Sequence, residues 1–151
     1  MFAIDFDPGA PGEVLFGERA RYAIIRLDDF TDRLAVPLVY WTAADYRRQW
    51  REAVRRTVEG HPRSALITSM REPTSANFIQ WWPLYRVDQT VFVQHQILFM
   101  DTIPGPFRPD DWYEHVHDRR TCNEDGERLS EWRVSVGDLQ AFLSGTAQSW
   151  T

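Results

Sequence analysis

A chain of 151 residues with a single cysteine, Cys122, and a formal net charge of -5 is long enough to bury one core, and it excludes an intrachain disulfide. The acidity disfavours nucleic acid and favours basic protein partners. No run approaches the roughly 20 apolar residues of a membrane span, and the N-terminus lacks the basic start and apolar stretch of a secretory signal, so the expectation is a soluble, cytoplasmic protein with no nucleic-acid or membrane partner. Every basic side chain is arginine, and the seven tryptophans, nine phenylalanines and five tyrosines supply the area for a core, an interface, or both.

In chain order, the Pro/Gly run from Pro8 to Gly12 fits neither a helix nor a central strand. Residues 1–20 are therefore expected to be a poorly ordered tail or a loop between short edge strands. Tyr22–Leu27 and Arg33–Leu38 read as strands across an Asp28-Asp29 turn, with Pro37 marking an edge or a strand end. Thr42 and Asp45 form a capping-box-like helix start. From there Tyr46, Trp50, Ala53, Val54, Thr57 and Val58 recur at spacings of three and four, opposite Arg47, Arg48, Arg51, Glu52, Arg55 and Arg56. Gly60 and Pro62 end the helix. Its basic side reads as a solvated face in which Glu52 pairs with Arg48 and Arg56.

Ser64–Met70 reads as a buried strand. Asn77–Met100 then forms a long hairpin broken at Arg86–Gln89, in which Val91, Val93, His95, Ile97 and Phe99 share one face, expected to be core. Residues 101–111, with Pro104, Gly105, Pro106 and Pro109, predict an irregular loop, and 110–116 one or two helical turns. Arg119–Cys122 and Leu129–Val134 read as strands across the Asn123–Gly126 turn. Asp138–Leu143 is a short helix ending at Gly145, and the last six residues are expected to fray. These elements describe one α+β domain spanning 1–151: a mainly antiparallel sheet with one long helix, about 42–59, on one face and a short C-terminal helix.

Candidate chemistry is sparse. His115 and His117 with Cys122 have the donor types of a zinc site but no second ligand pair. His95, set among apolar residues, suits a neutral general base or a satisfied core histidine. These residues sustain an alternative reading as a small-ligand-binding or metal-dependent enzyme. No nucleophile elbow or phosphate loop is present, so neither catalytic residues, a metal nor a cofactor is expected. The denser signal is acidic: Asp110, Asp111, Glu114, Asp118, Glu124, Asp125, Glu127 and Glu131, with Trp112, Tyr113 and Trp132 among them. Rigid aromatics beside carboxylates suit a basic protein surface, and a solvated loop with ordinary ion pairs is the other reading.

Seven blocks occur in one order along the chain: PLVYW at Pro37–Trp41, DYRRQW at Asp45–Trp50, SALITS at Ser64–Ser69, NFIQWW at Asn77–Trp82, QHQILF at Gln94–Phe99, EDG at Glu124–Gly126 and SEW at Ser130–Trp132. Their order resembles the CdiI-type immunity proteins of contact-dependent growth inhibition systems, over about residues 30–143. The resemblance implies a protein that is not an enzyme and that binds the C-terminal toxin domain delivered by a neighbouring cell, often a nuclease, in the cytosol. The shared blocks fall on core and turn positions, so the resemblance carries over no contact residue.

Overall fold

Two antiparallel sheets, where the sequence suggests one, make up the α+β fold. The computed structural model describes residues 1–9, 13–15 and 17–145; the expected fraying of 146–151 and part of the Pro/Gly run lie outside them. In the first sheet β1 (Phe2–Phe6) and β2 (Glu13–Leu15) follow one another along one edge of β3 (Glu18–Leu27), and β4 (Phe30–Pro37) lies along the other. The N-terminal segment is thus a pair of short edge strands. It is no loose tail, because Phe2, Ile4 and Phe6 are fully buried. Pro37 closes β4, where its missing N–H costs no ladder bond.

The second sheet runs β5 (Arg63–Ser69), β6 (Phe78–Val87), β7 (Thr90–Gln94), β9 (Glu131–Ser135), with β8 (Gln96–Phe99) continuing β7 along β6. The predicted hairpin is present, turning at Asp88-Gln89, with Asp88 at positive φ. The proposed Arg119–Cys122 strand is not: Cys122 and Arg128 form an isolated bridge, and β9 pairs with β7 instead. A ladder with valine and tryptophan across from Val91 and Val93 buries more apolar area than an exposed two-strand ribbon.

The long helix α1 (Ala43–Val58) has the predicted box, with the Thr42 hydroxyl accepting from the Asp45 N–H and the Asp45 carboxylate accepting from the Thr42 N–H. Tyr46, Trp50, Ala53, Val54 and Thr57 are buried, as the stripe requires. They meet the first sheet through Phe6, whose ring lies 5.2 Å from Trp50. They meet the second at the open edge of β5. There the Gln49 amide accepts from the Ile67 N–H and donates to the Ala65 carbonyl, the Trp50 indole donates to the Ile67 carbonyl, and the Met70 N–H donates to the Tyr46 hydroxyl. Side chains of the helix thus stand in for a missing strand and close an edge that would otherwise be sticky. The C-terminal helix α2 (Val136–Ser144), capped by Ser135 and Asp138 and ended by Gly145, packs on α1 and β1, with Phe142 edge-on to Phe2.

The expected core face of β7–β8 holds only halfway. Leu84 opposite Val93 and Trp81 opposite Gln96 keep one register, and Val91 and Val93 are buried. Beyond His95, however, Ile97 and Phe99 are each 50% exposed, and it is Leu98 on the reverse face that is buried. The reverse face is covered here by the 101–116 loop, with Phe107 against Trp81.

Candidate partner-binding surface

The acidic stretch divides in two. Its first part sits on the 3-10 segment Pro109–His115, which packs against β5. Trp112 points inward and is 1% exposed, so it anchors the segment to the core and is not available as the contact residue that its composition suggested. Tyr113 is half-buried and lies under the Arg56 guanidinium, 3.8 Å from its ring centroid. Asp110, Asp111 and Glu114 project from this platform and form no ion pair with the described residues.

The helix adds to this surface, which sequence reasoning missed. Asp45, Arg48, Glu52, Asp110, Trp41 and Trp112 line a cleft of about 120 Å³ between α1 and the segment. Glu52 does not take the expected partners, because Arg48 turns to Asp45 at 3.4 Å and Arg56 to the rings of Tyr113 and Trp112. Among the described residues the Glu52 carboxylate therefore has no ion-pair partner, like those of Asp110, Asp111 and Glu114. The spacing along α1 fixed its direction, but only the loop's return against α1 gave it acidic company.

The second part is more neutralised. Asp118 pairs with Arg63 at 2.8 Å, and Glu131 takes two bonds from Arg119, which lower the glutamate's pKa from its ordinary value. Glu124, Asp125 and Glu127 ride an exposed turn built by the Asn123 side chain, which accepts from the Asp125 and Glu127 N–H groups. Gly126 takes the positive φ that the turn needs.

The histidines do not assemble. His95 is stacked 4.5 Å above Trp82 on one face of the second sheet, while His115 packs on Phe107 over the other. Contact with the indole desolvates His95 and lowers its pKa, with Asp32 acting in the opposite direction. Among the described residues no three His, Cys, Asp or Glu side chains come close enough to hold a metal. A further cleft of about 330 Å³ opens between the sheets, but of its charged lining Glu18 and Arg71 are bound to each other in a bidentate pair and Arg33 is paired with Asp7 at 3.5 Å.

Against known proteins, residues 36–142 match the family described as the CdiI N-terminal domain. The chain belongs to the CdiI family. It is 33% identical over 142 residues to the immunity protein CdiI of Enterobacter cloacae subsp. cloacae, a match covering 94% of this chain and 96% of that one. Its fold is similar, with a TM-score of 0.88 and 30% identity, to a chain of a solved CdiA-CT/CdiI toxin and immunity complex from Enterobacter cloacae, covering 99% of this chain and 100% of that chain. The CdiI match begins within β4 and ends in α2, so it includes α1, the whole second sheet and the acidic segment.

Proposed function

We propose that this protein is the immunity partner of a toxin C-terminal domain, which it binds in the cytoplasm and blocks by occlusion, catalysing no reaction itself. The observation that carries the reading is the near full-length likeness to a chain solved as part of a toxin and immunity complex. The toxin is proposed to be a nuclease. Carboxylates can imitate the phosphates that a nuclease cleft is shaped to hold, and Asp110, Asp111 and Glu114, with Glu52 beside them, are unpaired carboxylates on a rigid aromatic platform. Tyr113 supplies the anchor, and the exposed Glu124, Asp125 and Glu127 widen the negative field. In such an arrangement charge steers the encounter, while the desolvated aromatic holds it.

The test is direct. The adjacent reading frame should encode a toxin or toxin fragment, which, mixed with the purified protein, should form a stable complex and lose its nuclease activity. A toxin that stays active at saturating protein, or no complex on co-purification, would sink the reading. A complex that forms with a toxin lacking nuclease activity would overturn only the finer part.

A further inference from the structure

We propose that the protein forms a two-fold dimer by pairing the outer edge of β8 with the same strand of a second copy. β8 pairs with β6 on one side and with no strand on the other among the described residues. The direction of its free backbone groups follows from the ladder. Met100 donates its N–H to the Asn77 carbonyl, one step beyond the Phe78–Phe99 pair. Hydrogen-bonded pairs alternate in an antiparallel ladder, so Gln96 and Leu98 also bond inward to β6. The N–H and C=O groups of Ile97 and Phe99 therefore point outward. Among the described residues only the Phe99 carbonyl has a partner there, the Thr102 hydroxyl at 2.7 Å, and it retains a second lone pair.

Sheet edges in soluble proteins are blunted by charge, by proline or by a cover, and the edges at β5, β4 and β9 follow that rule. Side chains of α1 close β5, β4 carries Asp32, Arg33 and Pro37, and β9 carries Glu131 and Arg133. The sequence of β8, Gln-Ile-Leu-Phe, has no charge and no proline. On the face beside it Ile97, Phe99 and Phe78 are 50%, 50% and 37% exposed, with Phe78 and Phe99 edge-to-face at 6.0 Å.

A second copy of this strand satisfies the edge completely. With the axis at Leu98, Ile97 lies opposite Phe99 of the second copy and Phe99 opposite its Ile97, and both are hydrogen-bonded pairs. Four backbone bonds form, using every outward group of the two residues. Side chains directly opposite share a face, so the two Ile97–Phe99 pairs and the two Phe78 rings join into one apolar strip. The acidic segment lies over the opposite face of the sheet, on the α1 side, and stays free for a toxin, so the dimer neither requires nor forbids the function proposed above.

Sedimentation of the wild-type protein over a concentration series should show a monomer–dimer equilibrium. Ile97→Lys and Phe99→Lys should each run as monomers, with melting curves confirming that they fold. Val87→Lys, at a site that is 49% exposed on the far hairpin turn, should dimerise like wild type. A wild-type protein that is monomeric throughout would overturn the proposal, as would a dimer that survives both β8 variants or is equally lost with Val87→Lys. Loss of toxin binding by Ile97→Lys in a protein that is otherwise monomeric would assign the edge to the toxin and overturn it too. Failure of the wild-type protein to bind the toxin while still dimerising would count against the immunity reading alone.

Discussion

At the scale of single residues, Gln49 joins the helix to the sheet more specifically than the apolar stripe does. Its amide offers one acceptor and one donor to the β5 backbone in the geometry of a strand's own peptide group. Gln49→Ala would leave the Ile67 N–H and the Ala65 carbonyl buried without partners, at about 1–3 kcal/mol for each group. The expected result is a lowered urea midpoint with little change in helical circular dichroism. Trp50→Ala removes a buried indole together with its bond to Ile67 and should cost about 3–5 kcal/mol. A nearly unchanged midpoint would mean that the helix does not bury this face. The helical period shows Trp50 inward, but it assigns Gln49 to a polar margin, because a sequence does not state that a strand edge waits beside it. Trp112 is the converse case: its acidic neighbours suggest a contact residue, whereas the loop's packing makes it part of the core.

At the scale of elements, the capping box, the helix ends and the hairpin turn were legible, because each is decided by residues close together in the chain. The division into two sheets was not. It depends on which non-local strands pair, and alternation along β7–β8 cannot say where the cover over one face stops. Val93 is the last buried position on that face, and His95, exposed but stacked on Trp82, marks the limit. The sheets are clamped to each other by Arg71, just after β5, and Glu18 of β3, through bonds of 2.5 and 2.6 Å. The Arg71 hydrogen bonds lower the Glu18 pKa from its ordinary 4.5. A carboxylate depressed in the folded state binds fewer protons there than in the unfolded chain. Its stabilisation is therefore present above about pH 4.5 and is lost as the pH falls through the lower folded value. Thermal melts below pH 4.5 should thus show a shallower fall for Glu18→Gln than for wild type. Parallel profiles would show that the clamp does not contribute.

At the scale of the whole molecule, the net charge of -5 matters less than where charge is left unspent. Arg47 is held by Asp5, Arg51 by the Leu143 carbonyl, Arg48 by Asp45 and Arg56 by aromatic rings, so much of the basic face of α1 is engaged within the protein. The carboxylates of Glu52, Asp110, Asp111 and Glu114 are not, and on the proposed reading they set the long-range field that a basic toxin cleft meets first. Steering of this kind appears in the association rate and fades with salt, whereas a packed anchor appears in the dissociation rate. Replacing Asp110, Asp111 and Glu114 together by arginine should slow association by about one to two orders of magnitude at low salt and flatten its salt dependence, with the melting temperature little changed because all three are unpaired. Tyr113→Ala should instead speed dissociation, since it removes the half-buried ring over which Arg56 is stacked. Stopped-flow association across a salt series separates the two effects. An unchanged association rate for the triple variant would remove this surface from the toxin contact.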